Sequence, residues 1–222
     1  MFKGVLFDLD GVITDTAEYH YLAWRALAAE LGIEIDRQFN QQLKGLSRAD
    51  SLRLILQKGQ QTELYQGEAF QELMQRKNEN YLKMIQKITP ADILPGIKEL
   101  LFELQAANIK IALASASQNG PVILEKLGLA DCFLGIADPK QVAAGKPAPD
   151  IYLLAAKEIG LNAQECLGIE DALAGIQAIQ ASGAVPVGVG QAQDLGADID
   201  IVETTKDLNL AYLQEVWQKC EK

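Results

Sequence analysis

Short runs of apolar and small residues recur along the chain and end abruptly in polar ones: Gly4 to Phe7 before Asp8, Ile109 to Ala114 before Ser115, and Cys166 to Ile169 before Glu170. Runs of this length without alternation fit strands covered on both faces. Elsewhere the spacing turns helical, predicting helices from Gly96, from Gly120, from Asp150 and over Ala172 to Ala181. Further strands are predicted near Phe133 to Ile136, over Val185 to Val189 and over Ile199 to Val202, with a closing amphipathic helix over Asn209 to Lys219. Repeated βα units predict an α/β fold, a parallel sheet with helices on both faces.

The segment from Asp15 to about Thr89 has another rhythm. Leu22, Ala26, Ala29 and Leu31, then Leu52, Ile55 and Leu56, fall at helical spacing with few β-branched runs. Helices are predicted over Ala17 to Leu31, Asp36 to Leu43, Arg48 to Gln57 and Gly67 to Ile85, separated by Gly32, by Lys44-Gly45-Leu46-Ser47 and by Lys58 to Gln61. They can pack as a small bundle. The first strand belongs to the sheet that resumes afterwards, so the bundle is an insert: residues 1–14 and 90–222 form the sheet domain and 15–89 the helical one.

Composition narrows the function classes. With 222 residues, 49% of them hydrophobic, the chain can bury a full core. A net charge of −10 and a pI near 4.7 argue against a general affinity for nucleic acid or anionic membrane. A phosphorylated small molecule would need local positive charge. Cys132, Cys166 and Cys220 form no CxxC pair and leave an odd count, so reduced structural thiols are expected. The sequence enters a short strand with no basic, then apolar, leader, and no later run approaches membrane-spanning length; a cytoplasmic protein is expected.

The chemistry-bearing residues sit where the strands stop. If the first strand stays extended through Leu9, Asp8 and Asp10 share one face, and Gly11 lets the chain turn away. The second ends in Ser115-Ala116-Ser117, followed by Gln118-Asn119-Gly120 and a helix, a turn whose amides and hydroxyls suit an anion or merely cap the helix. Ala144-Gly145-Lys146-Pro147-Ala148-Pro149-Asp150 holds a lysine in a rigid turn, without the glycine spacing of a P-loop. Gly188-Val189-Gly190 lacks the third glycine of a dinucleotide fingerprint and reads as a turn. Glu170 and Asp171 either cap the next helix or, crowded with Asp8, require a cation between them. With oxygen ligands only, that cation would be Mg²⁺. Lys44 and Arg48 read as solvated charges at a helix end or as phosphate ligands. His20, the only histidine, lies one helical turn beyond Thr16, with Trp24 a further turn on, so the three can share a face.

In this order, an apolar strand with DxDG, a run ending in serine, a Lys-Pro turn and a run ending in Glu-Asp, the chain resembles the haloacid dehalogenase (HAD) superfamily of aspartate-nucleophile phosphotransferases. Asp8 to His20, Lys44 to Arg48, Ala114 to Ser117 and Lys146 to Asp150 are similar, more narrowly, to the β-phosphoglucomutase family, and that resemblance runs end to end. It implies a Rossmannoid parallel-sheet core with an inserted helical cap. It implies Asp8 as nucleophile and Asp10 as general acid/base. Mg²⁺ would be held by Asp8, the Asp10 main-chain carbonyl, Glu170 and Asp171, and the transferring phosphoryl by Ser115, Ala116 and Lys146. Sugar and distal phosphate would be recognised by Lys44, Gly45, Leu46, Ser47, Arg48 and Ser51, with Ser117 and Asn119 from the sheet domain. Thr16, His20 and Lys77 would couple cap closure to Asp10, with Thr16 at a hinge and Thr89-Pro90 at its counterpart, while Trp24 forms pocket wall or cap core.

The reaction so implied interconverts β-D-glucose 1-phosphate and glucose 6-phosphate through β-glucose 1,6-bisphosphate, which also primes Asp8, in a Mg²⁺-dependent isomerase; a monomer is expected, because a moving cap would exclude water without a partner. The chain departs from the family pattern at Gln118, where a lysine is expected, and at Gly145, where serine is more usual. Neither removes a reacting group, although Gln118 lowers the positive charge near the substrate. A sugar-phosphate phosphatase on the same scaffold is the nearest rival, and a catalytically silent sugar-phosphate or metal-binding module is the rival from another class.

Overall fold

The computed structural model describes residues 1–196 and 199–220; Ala197, Asp198, Glu221 and Lys222, which the predicted sheet domain spans, lie outside the described residues. The chain divides into two compact units, Met1–Asp15 with Ile88–Lys222, and Thr16–Lys87.

The first unit is built on a six-stranded parallel sheet: β1 (Gly4–Phe7), β2 (Lys110–Leu113), β3 (Gly135–Ile136), β4 (Cys166–Glu170), β5 (Val185–Val189) and β6 (Asp200–Val202). The spatial order is β3-β2-β1-β4-β5-β6. The chain builds outward from β1 through β2 and β3, then returns to β1's other side with β4, which makes the β1/β4 boundary the topological switch point. In such sheets the crevice beyond the carboxyl ends at that boundary is where ligands bind. Register decides which side chains meet there. Phe7 lies opposite Leu113 on one side and Ile169 on the other, so Asp8, the turn at Ser115 and Glu170 emerge from three adjacent strands at one level. The Asp8 amide still bonds the Ile169 carbonyl at 3.0 Å, which keeps Asp8 tied to β4 after the β1 ladder ends.

The second unit contains α1 (Ala17–Glu30), α2 (Arg37–Gln41), α3 (Arg48–Lys58) and α4 (Gly67–Ile85). Its core joins Trp24, Leu27 and Ala28 of α1 to Leu52, Ile55 and Leu56 of α3 and to Leu73 of α4, with Ile33, Ile35 and Leu43 from the connections. Leu52, Ile55 and Leu56 are the helically spaced apolar positions expected of α3. In α1 the expected stripe needs correction: Ala26 and Ala29 are exposed and Leu22 and Leu31 half-buried, and the side that carries the larger Trp24 and Leu27 is the one turned inward. The sheet unit carries α5 (Ile97–Ala106), α6 (Gly120–Leu127), α7 (Asp150–Glu158), α8 (Leu173–Ser182), α9 (Ala192–Leu195) and α10 (Leu210–Cys220). On one sheet face Tyr152, Ala155 and Ala156 of α7 and Ile176 and Ile179 of α8 pack on Leu6, Ala112 and Ala114. The space is tight: a side chain at Gly168 of β4 would collide with Ile179.

The one-face expectation for the DxD pair needs correction. β1 stops at Phe7, and the backbone bends at Leu9, whose carbonyl accepts both the Ile13 and Thr14 amides at 2.9 and 3.2 Å. Asp10 therefore belongs to a tight turn, bridged to Thr14, and strand periodicity is not what orients it. Thr14 also bridges Ile93, and its hydroxyl donates to the Asp92 carbonyl at 2.8 Å, so the two crossings of the sheet unit toward the insert run side by side.

Candidate active site

Asp8, Glu170 and Asp171 converge beyond β1 and β4, with carboxylate oxygens within 4.8 Å of one another. Two glycines permit the approach. Gly11 has φ +79°, and a Cβ there would overlap the Asp171 carboxylate; a Cβ on Gly175, in the first turn of α8, would overlap that of Glu170.

Lys146 enters from the turn before α7 and is 2% exposed. Its Nζ donates to Asp8 Oδ1 at 2.6 Å and to Glu170 Oε1. The Lys146–Pro147 peptide is cis. Tyr152 O–H also donates to Glu170 Oε1, at 3.3 Å, and its ring centroid lies 5.0 Å from the Lys146 ammonium. Glu170 Oε2 accepts the Asp171 and Ala172 amides at 2.9 and 3.1 Å. Glu170 thus ties down the two residues that lead into α8 without capping the helix, whose N-cap is Ala172 with no side-chain cap bond, and it stands in the acidic cluster as well; the capping alternative does not hold for Glu170 or Asp171.

Burial pushes the Asp8 carboxyl well above the ordinary carboxylate range, and the charge of Glu170 adds to it; Lys146 opposes, while Asp10 and Asp171 reinforce. Burial alone would lower the Lys146 ammonium, yet Asp8 and Glu170 outweigh it and hold its proton firmly. Burial, with Glu170 beside it, also pushes the Tyr152 phenol upward, so it stays a donor. One ammonium against this group of carboxylates leaves excess negative charge among oxygen atoms only, a donor set that fits a hard divalent cation. Mg²⁺ fits Asp8, Glu170 and Asp171 on these grounds; Asp10 would add a main-chain carbonyl and is not among the clustered carboxylates.

The serine turn has its own organisation. Ser115 Oγ accepts the Ser117 amide at 3.1 Å, and Ser117 Oγ accepts the Asn119 amide at 3.3 Å. Ser115 and Asn119 are buried, Ala116 and Ser117 half-buried, and Gln118 exposed. The helix-capping alternative does not hold for these serines, since Asn119 occupies the N-cap of α6.

In the helical unit, His20 Nδ1 lies 2.8 Å from Lys77 Nζ, which sits 4.9 Å from the Trp24 ring and 4.7 Å from that of Tyr81. Thr16 Oγ1 and Tyr81 O–H are 2.9 Å apart. The structure thus brings Thr16, His20, Trp24 and Lys77 into one group through Tyr81, a residue the sequence analysis did not single out. Burial holds His20 well below its ordinary value near 6.5, with the charges of Lys77 and Arg48 in the same direction. Arg48 Nη2 donates to Asn78 Oδ1 at 2.8 Å, while Ser47 caps α3, its hydroxyl exchanging hydrogen bonds with Asp50 at 2.6 and 3.1 Å. Lys44, Gly45 and Leu46 are half-buried in the loop before α3, Gly45 with φ +72°, and Ser51 is buried.

A parallel sheet with a strand-end aspartate, a strand-end acidic pair and a buried lysine joining them defines a phosphoryl-transfer scaffold. Residues 2–183 match the haloacid dehalogenase-like hydrolase family, and the chain belongs to it. Within that family the likeness is narrower: the chain is 51% identical over 218 residues, 98% of its length and 96% of the relative's, to β-phosphoglucomutase of Bacillus subtilis strain 168. The crystal structure of β-phosphoglucomutase from Clostridium difficile superposes with a TM-score of 0.97 at 45% identity, covering 100% of this chain and 99% of that one. The fructose-1-phosphate phosphatase of Escherichia coli is more distant, 28% identical over 184 residues, 82% of this chain and 93% of the relative.

Proposed function

We propose that the protein is a Mg²⁺-dependent isomerase that interconverts β-D-glucose 1-phosphate and glucose 6-phosphate. The observation that carries this is the likeness to β-phosphoglucomutase over 98% of the chain, helical unit included. The reacting centre alone would serve a phosphatase equally well.

We assign the reaction to two half-steps. An Asp8 carboxylate oxygen attacks phosphorus, the bond from phosphorus to the sugar oxygen breaks, and Asp10 gives that oxygen its proton. In the other half-step Asp10 takes the proton of the sugar hydroxyl as it attacks the aspartyl phosphate, and Asp8 leaves as a carboxylate. The two sugar positions exchange phosphate through β-glucose 1,6-bisphosphate. Lys146, Ser115 and the Ala116 amide are assigned to the equatorial oxygens of the transferring group, where fixed positive charge and N–H donors are most effective. A Mg²⁺ ion on Asp8, Glu170, Asp171 and the Asp10 carbonyl supplies charge neutralisation when bound. We assign recognition of the sugar and second phosphate to Ser51 and the Lys44–Arg48 segment, with Ser117 and Asn119, the coupling of cap closure with Asp10 to His20 and Lys77, and a hinge to Thr16; of the two roles open to Trp24, its place in the helical unit's core supports the structural one. Arg48 carries a fork suited to phosphate. We further assign the enzyme to the cytoplasm, a reading supported by its three free cysteines, and assign it as a monomer.

A coupled product assay tests the proposal. With Mg²⁺, β-glucose 1-phosphate and a trace of bisphosphate, glucose 6-phosphate is expected without stoichiometric free phosphate, and Asp8→Ala is expected to abolish turnover with the fold retained. Steady phosphate release in place of glucose 6-phosphate would overturn it in favour of a phosphatase.

A further inference from the structure

We propose that Tyr152 is a positioning residue for this reaction, fixing Lys146 and Glu170 in one arrangement through the two ends of a single side chain. It stands in the first turn of α7 and is 0% exposed, within the apolar cluster beneath the sheet. A buried phenol normally finds a hydrogen-bond partner, and this one meets Glu170 Oε1 at 3.3 Å, the oxygen that also receives Lys146. Its ring meanwhile lies beside the same ammonium, 5.0 Å from centroid to Nζ. An ionised carboxylate offers about four lone-pair sites. At Glu170 four donors fill them: Lys146 and Tyr152 on Oε1, the Asp171 and Ala172 amides on Oε2. The amides belong to the backbone entering α8, so the side-chain donors on Oε1 are the ones free to change partners when a cation arrives. Tyr152 is the anchored one of the two, because its ring is locked in the core while the Lys146 ammonium ends a flexible four-carbon stem that leaves from a turn.

That turn is tied to the same helix. Ala148 N–H bonds the Gly145 carbonyl at 3.0 Å and Ala144 N–H bonds Asp150 Oδ1 at 3.2 Å, so the lysine and the tyrosine six residues later share one rigid frame. A core-filling role alone would need the ring and not the hydroxyl. A positioning role needs both, and the two parts can be removed separately.

The inference rests on Asp8, Glu170 and Asp171 being cation ligands, and its test separates the two. Mg²⁺ binding to substrate-free enzyme is measured by calorimetry for wild type, Tyr152→Phe and Tyr152→Leu, beside melting curves and Mg²⁺-dependent kinetics. Tyr152→Phe is expected to melt near wild type, to bind Mg²⁺ about tenfold more weakly, as loss of a hydrogen bond to a ligating carboxylate commonly does, and to need correspondingly more Mg²⁺ for half-maximal rate, with kcat at saturation far less affected. Tyr152→Leu is expected to lower saturated kcat as well, by about tenfold, because the ammonium loses its aromatic face. Wild-type Mg²⁺ affinity in Tyr152→Phe overturns the role of Tyr152 alone, and that variant decides the question if the leucine variant does not fold. Failure of the wild type to bind Mg²⁺ overturns the cation site and this inference with it.

Discussion

Lys146 shows how a single residue holds opposed costs together. A buried ammonium is expensive alone, and so are the carboxylates of Asp8 and Glu170; in contact they neutralise one another. Lys146→Met should therefore cost about 3–5 kcal/mol of stability in metal-free buffer, since it strands two buried acids. Added Mg²⁺ should raise the melting temperature of that variant more than that of the wild type, and kcat should fall about 100- to 1000-fold. A variant equally stable with and without Mg²⁺ would count against the shared neutralisation. Gly175 makes the complementary case: Gly175→Ala, harmless to a helix in principle, must displace the Glu170 carboxylate. Calorimetry should find Mg²⁺ affinity reduced about 10- to 100-fold. Asp8, Ser115, Glu170 and Asp171 were legible in the sequence because each stands at a local boundary between an apolar run and a turn, and Lys146 because a glycine and two prolines fix the turn around it. Tyr152, Asn78 and Tyr81 were not, because their partners lie 18, 30 and 65 residues away and no local pattern encodes such meetings.

At the scale of elements, the sheet was legible because buried parallel strands are continuous apolar runs, and most predicted boundaries lie within one or two residues of the observed ones. The short α9 escaped, being a single turn in a polar stretch with no periodicity to betray it. The bend at Leu9 escaped because hydropathy says nothing of where a ladder lets go. In the helical unit the informative pairing is α1 with α4, which brings His20 against Lys77. Because folding holds His20 below its ordinary value, the unfolded chain takes up its proton first as the solution is acidified. The stability contributed by the neutral ring is complete above about pH 6.5 and is lost as pH falls through the depressed folded value. No other histidine is present to mask this. Urea midpoints measured from pH 7 down to pH 5 should fall faster for the wild type than for His20→Gln; parallel curves would mean that His20 is free to ionise in the folded state.

For the molecule as a whole, the two units differ in what their residues can do. The unit of Met1–Asp15 and Ile88–Lys222 contains the buried lysine and the clustered acids Asp8, Glu170 and Asp171; Thr16–Lys87 contributes Arg48, Lys44, Lys77 and His20, cations and donors with no acidic pair at a strand end. If chemistry and recognition are divided in this way, a substitution in the second unit should affect only substrates that need recognition. Arg48→Ala is suited to this, since Arg48 is half-buried beside Asn78 and takes no part in the bundle core, so its removal tests recognition without emptying that core. For β-glucose 1-phosphate, losing charge-assisted hydrogen bonds of about 1.5–3 kcal/mol should lower kcat/KM by roughly 10- to 100-fold. Phosphorylation of Asp8 by acetyl phosphate, which has no sugar and no second phosphate, should proceed at the wild-type rate, followed as incorporated phosphate after rapid quenching. Equal losses with both phosphoryl donors would show that Arg48 supports the reacting centre itself, and the division of labour between the units would have to be abandoned.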